Sequence, residues 1–179
     1  MSPTAIDGVL LVDPEVFADE RGFFMEVWNA EAFAAAGLDV AFVQDNHSRS
    51  RRGVLRGLHY QAARPQGKLI RVTSGAVFDV AVDLRRASPT FGRWFGARLT
   101  AASRRMLWTP PGTAHGFLTL SATADVAYKC TDVHVPSDDR AIAWNDPDLA
   151  IAWPLAPGAR PILSARDAAA ASFRDATFS

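Results

Sequence analysis

Four histidines, two tyrosines and two lysines carry most of the acid–base chemistry open to this chain. His59 lies in Val54-Leu55-Arg56-Gly57-Leu58-His59-Tyr60-Gln61, a strand-like run in which Leu55, Gly57 and His59 share one face and Arg56, Leu58 and Tyr60 the other. Tyr128 lies in Ala127-Tyr128-Lys129-Cys130, and Lys68 follows Gln66-Gly67. An imidazole, a phenol and an ammonium together suit proton abstraction next to a carbonyl. Imidazole titrates near neutrality and can take a carbon-bound proton, provided the enolate that forms meets a cation or a hydrogen-bond donor. On this reading Lys68 faces the oxyanion, and Tyr128 returns a proton to the opposite face of the substrate. Each residue also has an ordinary structural reading. His59 could be a satisfied core histidine, Tyr128 a strand aromatic with its hydroxyl at the surface, and Lys68 a solvated strand-end charge. Asp167, third in a short alanine-rich stretch, could simply cap a helix. Spacing alone leaves both readings open.

His115 ends Pro110-Pro111-Gly112-Thr113-Ala114-His115, which fits the second signature of the cupins, Pro-x-Gly-x-x-His, at the start of a strand. Many cupins hold a divalent ion through histidines and a glutamate, the first signature supplying His-x-His and then a carboxylate. The corresponding run here is His59-Tyr60-Gln61, with glutamine in the place of the second histidine. Two histidines without a nearby acid make a poor site for a first-row ion. The expectation is a cupin-like pocket with no metal and no cofactor.

Short strands must position these groups. Val77–Leu84 alternates, with Phe78, Val80, Val82 and Leu84 on one face and Asp79, Ala81 and Asp83 on the other. Ser74-Gly75 marks a turn, which makes Lys68–Val72 the preceding strand of a hairpin. Similar runs are Val9–Val12, Phe23–Val27, Trp94–Leu99, Met106–Thr109, Gly116–Leu120 and Val126–Cys130, with proline, glycine and asparagine turns between them. Many short strands at a regular spacing predict a mostly-β sandwich or barrel. Two short helices are expected: Ala30–Ala36, capped by Asn29 and stopped by Gly37, and Ala165–Ala171, capped by Ser164.

Bulk composition narrows the function classes. A chain of 179 residues, 49% hydrophobic and 21% charged, suits one well-buried domain over 1–179. Nineteen basic residues balance nineteen acidic ones, which argues against a nucleic-acid surface or a polybasic membrane patch. The single cysteine, Cys130, excludes an internal disulfide. Met1–Glu15 has no basic segment followed by an apolar run, and no stretch reaches transmembrane length. The expectation is a cytoplasmic protein.

Taken together, the segments resemble the dTDP-4-dehydrorhamnose 3,5-epimerase family. The resemblance rests on Asp19–Glu26, Gln44–Ser48, Gly53–Gln61, Gln66–Lys68, Gly75–Arg85, Ser88–Gly92, Pro111–Phe117, Tyr128–Asp132, Trp144–Pro147, Ile151–Pro154 and Leu163–Asp167, in the family's order along almost the whole chain. It implies a jelly-roll cupin, a homodimer, and a dTDP-4-keto-6-deoxyhexose as substrate. It also implies His59 as base, Asp167 as its orienting partner, Tyr128 as proton donor and Lys68 as enolate stabiliser. His115 and Arg56 would surround the sugar and phosphates. Arg21, Phe24, Glu26, Gln44, Asp45 and Asn46 would hold the nucleotide, with Asp139 and Arg166 among the binding residues. Where the family carries a second tyrosine that stacks on thymine, this chain has His134; Asp139 stands for a usual glutamate and Arg166 for a usual lysine. Relatives that epimerise only C3 or C5 share most of these motifs and are the nearest alternative. A metal-dependent cupin oxygenase is a more distant one, disfavoured by Gln61.

Overall fold

A computed structural model describes residues 1–178; Ser179, the last position of the expected domain, lies outside the described residues. The strands in chain order are β1 (Ser2–Pro3), β2 (Leu10–Val12), β3 (Val16–Asp19), β4 (Gly22–Met25), β5 (Gln44–Arg51), β6 (Leu55–Gln61) and β7 (Lys68–Ser74). They continue with β8 (Ala76–Asp83), β9 (Trp94–Thr100), β10 (Met106–Thr109), β11 (Thr113–Thr119), β12 (Thr123–Cys130) and β13 (Asp139–Ala141). Two short helices, α1 (Ala30–Ala35) and α2 (Ala165–Ala168), complete the chain. One sheet runs β1-β2-β10-β7-β12-β5, the other β13-β6-β11-β8-β9, and β3–β4 forms a separate hairpin. All named pairings are antiparallel, and the two larger sheets face each other as a jelly-roll sandwich.

Three apolar layers explain the alternation along the strands. Ile70, Val72 and Val126 of the six-stranded sheet meet Val77, Ala81, Leu99 and Phe117 of the five-stranded sheet in the central core. The inner side of β8 is therefore the one carrying Asp79, Ala81 and Asp83. Its other side, with Val80 and Val82, is covered by the C-terminal segment through Trp153, Phe173 and Phe178. Val12, Leu69, Met106 and Trp108, on the outside of the six-stranded sheet, pack against Phe33 of α1 and Leu38. Both helix caps form as the sequence predicts: Asn29 accepts from the Ala32 amide, and Ser164 from the Asp167 amide.

Two expectations need correction. The helix expected over Ala165–Ala171 stops at Ala168, because Ala171 leaves it to bridge Ile142 and accepts from the Ala143 amide at 2.8 Å. A sheet partner outcompetes the intrinsic preference of alanine for helix. Strand β5, Gln-Asp-Asn-His-Ser-Arg-Ser-Arg, was not expected from periodicity, since it contains no apolar residue. It forms because β12 pairs with it over its full length, and its inward side chains meet a polar cavity instead of the core. Among the described residues no helix is long and apolar enough to cross a membrane.

The fully buried Asp83 anchors the turn after β8. It accepts from Arg85 Nε at 2.8 Å and Thr90 Oγ1 at 2.6 Å, and also from Ser88 Oγ. Burial would raise its carboxyl, but these hydrogen bonds outweigh that and hold it down at about 2. A folded pKa below the unfolded value adds stability that is complete above about pH 4 and is lost as pH falls toward 2. Asp83→Asn is expected to cost on the order of 2 kcal/mol at neutral pH. Urea melts of both proteins from pH 7 to pH 2 should show the difference shrinking below pH 4; a constant gap would show that the charge is not what stabilises the turn.

Candidate active site

The sandwich opens at one end into a cavity of about 310 Å³, lined from both sheets. The five-stranded sheet contributes Arg56, His59 and Gln61 from β6 and His115 and Phe117 from β11. The six-stranded sheet contributes Gln44, Asn46 and Ser48 from β5, Lys68 from β7 and Tyr128 from β12. His134 and Asp139 stand among its lining residues as well. His59 and Tyr128 therefore reach the cavity from opposite sheets.

Strict alternation along β6 would put Arg56 and His59 on opposite faces, as the sequence predicts, yet both line this cavity. Pairing with β11 explains the switch. His115 pairs with His59 and Phe117 with Arg56, so β6 advances three residues while β11 advances two. Gly57 sits inside this bulge at φ 122°, and a Cβ there would lie 2.6 Å from the Gly116 Cα and 2.8 Å from the His115 carbonyl oxygen. Only glycine admits this backbone and this approach.

His59 Nε2 lies 2.6 Å from Asp167 Oδ1, a contact between residues 108 positions apart. The Asp167 carboxylate is buried at 4% exposure while the imidazole is one-third exposed. Burial would raise the Asp167 carboxyl, but the hydrogen bond and charge of His59, aided by Arg166, hold it below the usual range. A carboxylate on Nε2 makes that nitrogen the donor and leaves the lone pair at Nδ1, so His59 is held in the tautomer of a base. A second pair has the same form: His115 Nε2 lies 2.9 and 3.0 Å from the two oxygens of fully buried Asp79. Sequence reasoning did not single out Asp79. Its one signal was an acid on the same strand face as Ala81, which proves to be the inner side of β8.

Burial pushes the Lys68 ammonium down, with Cys130, Asp139 and Asp79 opposing the shift. Among the described residues no carboxylate lies within ion-pair distance of it. A buried cation in this setting gains most from a negative charge arriving in the cavity. Tyr128 moves the other way. Burial raises its phenol, with Cys130 and Asp139 adding to the effect and Arg56 opposing it, so the hydroxyl keeps its proton through neutral pH.

The cupin metal pattern does not fit these residues. Gln61 donates to the Arg64 and Val133 carbonyls and accepts from the Val135 amide, so its amide is committed to the backbone. The Nε2 atoms of His59 and His115 are each committed to a carboxylate. Among the described residues no group of three or more His, Cys, Asp or Glu side chains is placed to hold an ion.

The remaining expected site residues divide into two groups. Arg56, Gln44, Asn46, His115, His134 and Asp139 line the cavity, and Arg166 joins them through an ion pair to Asp139. Arg21, Phe24, Glu26 and Asp45 do not line it. Arg21 and Phe24 sit on the β3–β4 hairpin, where Arg21 pairs with Asp19 and Phe24 is 69% exposed. Glu26 follows β4 and accepts from the Asn29 amide group. Asp45 points to the other side of β5 from Gln44 and Asn46 and pairs with Lys129 at 2.9 Å. The ring of His134 is held at 3.0 Å from Asp139, and its backbone amide donates to Gln44 Oε1 at 2.7 Å.

Comparison with known proteins gives a consistent picture. The profile of a sugar-isomerase family described as dTDP-4-dehydrorhamnose 3,5-epimerase matches residues 3–175. The dTDP-4-dehydrorhamnose 3,5-epimerase of Pseudomonas aeruginosa is 57% identical over 173 residues, covering 96% of this chain and 94% of that protein. A crystal structure of the dTDP-6-deoxy-D-glucose-3,5-epimerase of Legionella pneumophila, in complex with dTDP-4-keto-L-rhamnose, superposes with a TM-score of 0.93 at 50% identity. It covers 97% of this chain and 92% of its own. A 3'-monoepimerase from Streptomyces bikiniensis in complex with dTDP-quinovose has a TM-score of 0.89 at 36% identity, covering 96% of this chain and 87% of its own.

Proposed function

The chain belongs to the dTDP-4-dehydrorhamnose 3,5-epimerase family, and from that premise we propose that it inverts C3 and C5 of dTDP-4-dehydro-6-deoxy-D-glucose, giving dTDP-4-dehydro-L-rhamnose for rhamnose or related deoxysugar biosynthesis. The observation that carries the chemistry is the placement of His59 and Tyr128 on opposite sheets across one cavity. Inversion needs a proton removed from one face of a carbon and returned to the other.

The 4-keto group acidifies the hydrogens on the adjacent carbons. His59 takes one of them on Nδ1, its imidazolium stabilised by Asp167, and the electrons move onto the carbonyl oxygen. Lys68 meets that enolate oxygen. Tyr128 delivers its phenolic proton to the opposite face, and exchange with solvent restores both residues before the second carbon reacts. No metal or cofactor takes part in this scheme.

The whole chain acts as one epimerase domain, and we read it as a cytoplasmic homodimer. Arg21, Phe24 and Glu26 resemble the family's nucleotide-holding residues yet do not line this chain's own cavity. A second copy that receives the β3–β4 hairpin would bring them to a site. The hairpin's exposed Phe17, Phe23 and Phe24 favour such an interface.

The test is hydrogen exchange in D2O with dTDP-4-dehydro-6-deoxy-D-glucose, followed by NMR, with a 4-ketoreductase trapping the epimer. Deuterium at C3 and C5 with an L-configured trapped product is the expected result. Deuterium at one carbon would make the chain a mono-epimerase, like its 3'-monoepimerase neighbour, and no exchange despite binding would refute the assignment.

At the base-binding end, His134 offers a smaller ring than tyrosine for stacking on thymine. His134→Tyr is expected to tighten binding of dTDP in calorimetric titration. A dissociation constant that stays the same or rises would remove the stacking role from this position.

A further inference from the structure

Helix α2 spans only Ala165–Ala168, yet it carries the carboxylate that orients His59. Four residues cannot hold a helix by their own hydrogen bonds, because nucleation costs more than one turn returns. The segment is also reached after an irregular stretch with Pro154, Pro157 and Pro161, so its position depends on tethers. One is the Ser164 cap, which acts within the helix itself. Another is the bridge of Ala171 to Ile142 downstream. Upstream, Ile162 bridges Val54, its carbonyl accepting from the Leu55 amide at 3.0 Å. Apart from the His59 contact itself, the side-chain tether to another element is the ion pair between Arg166 Nη1 and Asp139 Oδ2 at 2.6 Å, which ties the residue beside Asp167 to the first residue of β13.

β13 pairs in turn with the strand that bears the base: Asp139 lies opposite Gln61 and Ala141 opposite His59. The strand that bears the imidazole and the helix that bears its carboxylate are therefore both tied to Asp139. Asp139 is 14% exposed, and its Oδ2 already receives both Arg166 Nη1 and His134 Nε2, which engages the two lone pairs of that oxygen within the protein. Although burial would raise it, the Asp139 carboxyl is held below the usual range by Arg166 and His134, so it stays charged.

We infer that Asp139 is a positioning residue, which through Arg166 holds α2 where Asp167 meets His59. This goes beyond the substrate contact that the resemblance implies for both residues, and it rests on His59 being the base. A residue that merely binds substrate leaves the free enzyme's His59–Asp167 contact intact; a positioning residue does not.

The deciding measurement needs no substrate. In protein labelled with ¹⁵N-histidine, the ring resonances of His59 report the hydrogen bond from its Nε2–H to Asp167. Asp139→Asn and Arg166→Gln are each expected to shift the Nε2 resonance and lose the bonded proton to solvent exchange, while Asp139→Glu retains both. Backbone amide spectra confirm that the variants are folded. In turnover, each of the two disrupting variants should lower kcat by about 10–100-fold, the loss that misplacement of a catalytic group brings. The double variant should be no worse than either single one. His59 resonances unchanged in both variants would overturn the proposal, whatever happens to substrate affinity. Absence of turnover in the parent protein would instead sink the proposed function and leave the resonance test to stand alone.

Discussion

His59→Ala is expected to lower turnover by about 10²–10⁴-fold while the dTDP-sugar still binds. The imidazole has a buried carboxylate behind it, 2.6 Å from Nε2, and a free ring nitrogen on its other side. In the proposed mechanism its removal takes away both the base and the imidazolium that faces the forming enolate. The cavity's other two histidines do not stand in, since His115 enters from the neighbouring strand and is pinned to Asp79, and the ring of His134 is held by Asp139. Binding should survive because alanine enlarges the cavity without removing Arg56 or Lys68 from its wall. Two readouts check this: calorimetric titration with the nucleotide sugar, and deuterium incorporation at C3 and C5. A variant that kept more than about a tenth of parental turnover would show that another group is the base.

Tyr128→Phe should separate two steps that the parent protein couples. His59 remains, so a proton can still be withdrawn and returned from the same side, and deuterium exchange continues with the configuration retained. In the proposed mechanism the phenol delivers the proton to the opposite face, so inverted product should fall by at least about 10²-fold. The environment supports this role: burial raises the hydroxyl's pKa, so the residue carries a proton to give at neutral pH. Phenylalanine keeps the ring packed near His115, 6.3 Å between centroids, and removes only the oxygen. Comparing the rate of deuterium uptake with the rate of trapped epimer gives the ratio directly. If both rates fell together, Tyr128 would be acting on abstraction instead of delivery; if neither fell, the donor lies elsewhere.

These two variants touch residues that stand out in the sequence by type and local context, and the sandwich puts them on opposite sheets across one cavity. Much of the scaffold was equally legible. The alternation of Val77–Leu84 places a central strand, and Asn29 and Ser164 cap the two helices as their types require. The strand pattern points to a sandwich, and the order of motifs along the chain points to the family. These signals are local: each depends on residues within a few positions of one another, where periodicity and capping operate.

The tertiary structure decided the rest. β5 carries no apolar residue, so nothing in its own composition marks it as a strand; its partner β12 and the polar cavity do. The bulge at Gly57 brings Arg56 to the same side as His59, a consequence of how β6 meets β11 and invisible to a count of every second residue. The His115–Asp79 pair joins neighbouring strands, and the His134–Asp139–Arg166 cluster joins a loop, an edge strand and a helix. Arg21 and Phe24 of the β3–β4 hairpin, expected from the resemblance to hold the nucleotide, lie off the cavity of their own chain. Sequence determined which side chains are present and the secondary structure that local preference favours. Which of them meet was decided by strand register and sheet packing, because a hydrogen bond across 108 residues has no counterpart in local periodicity.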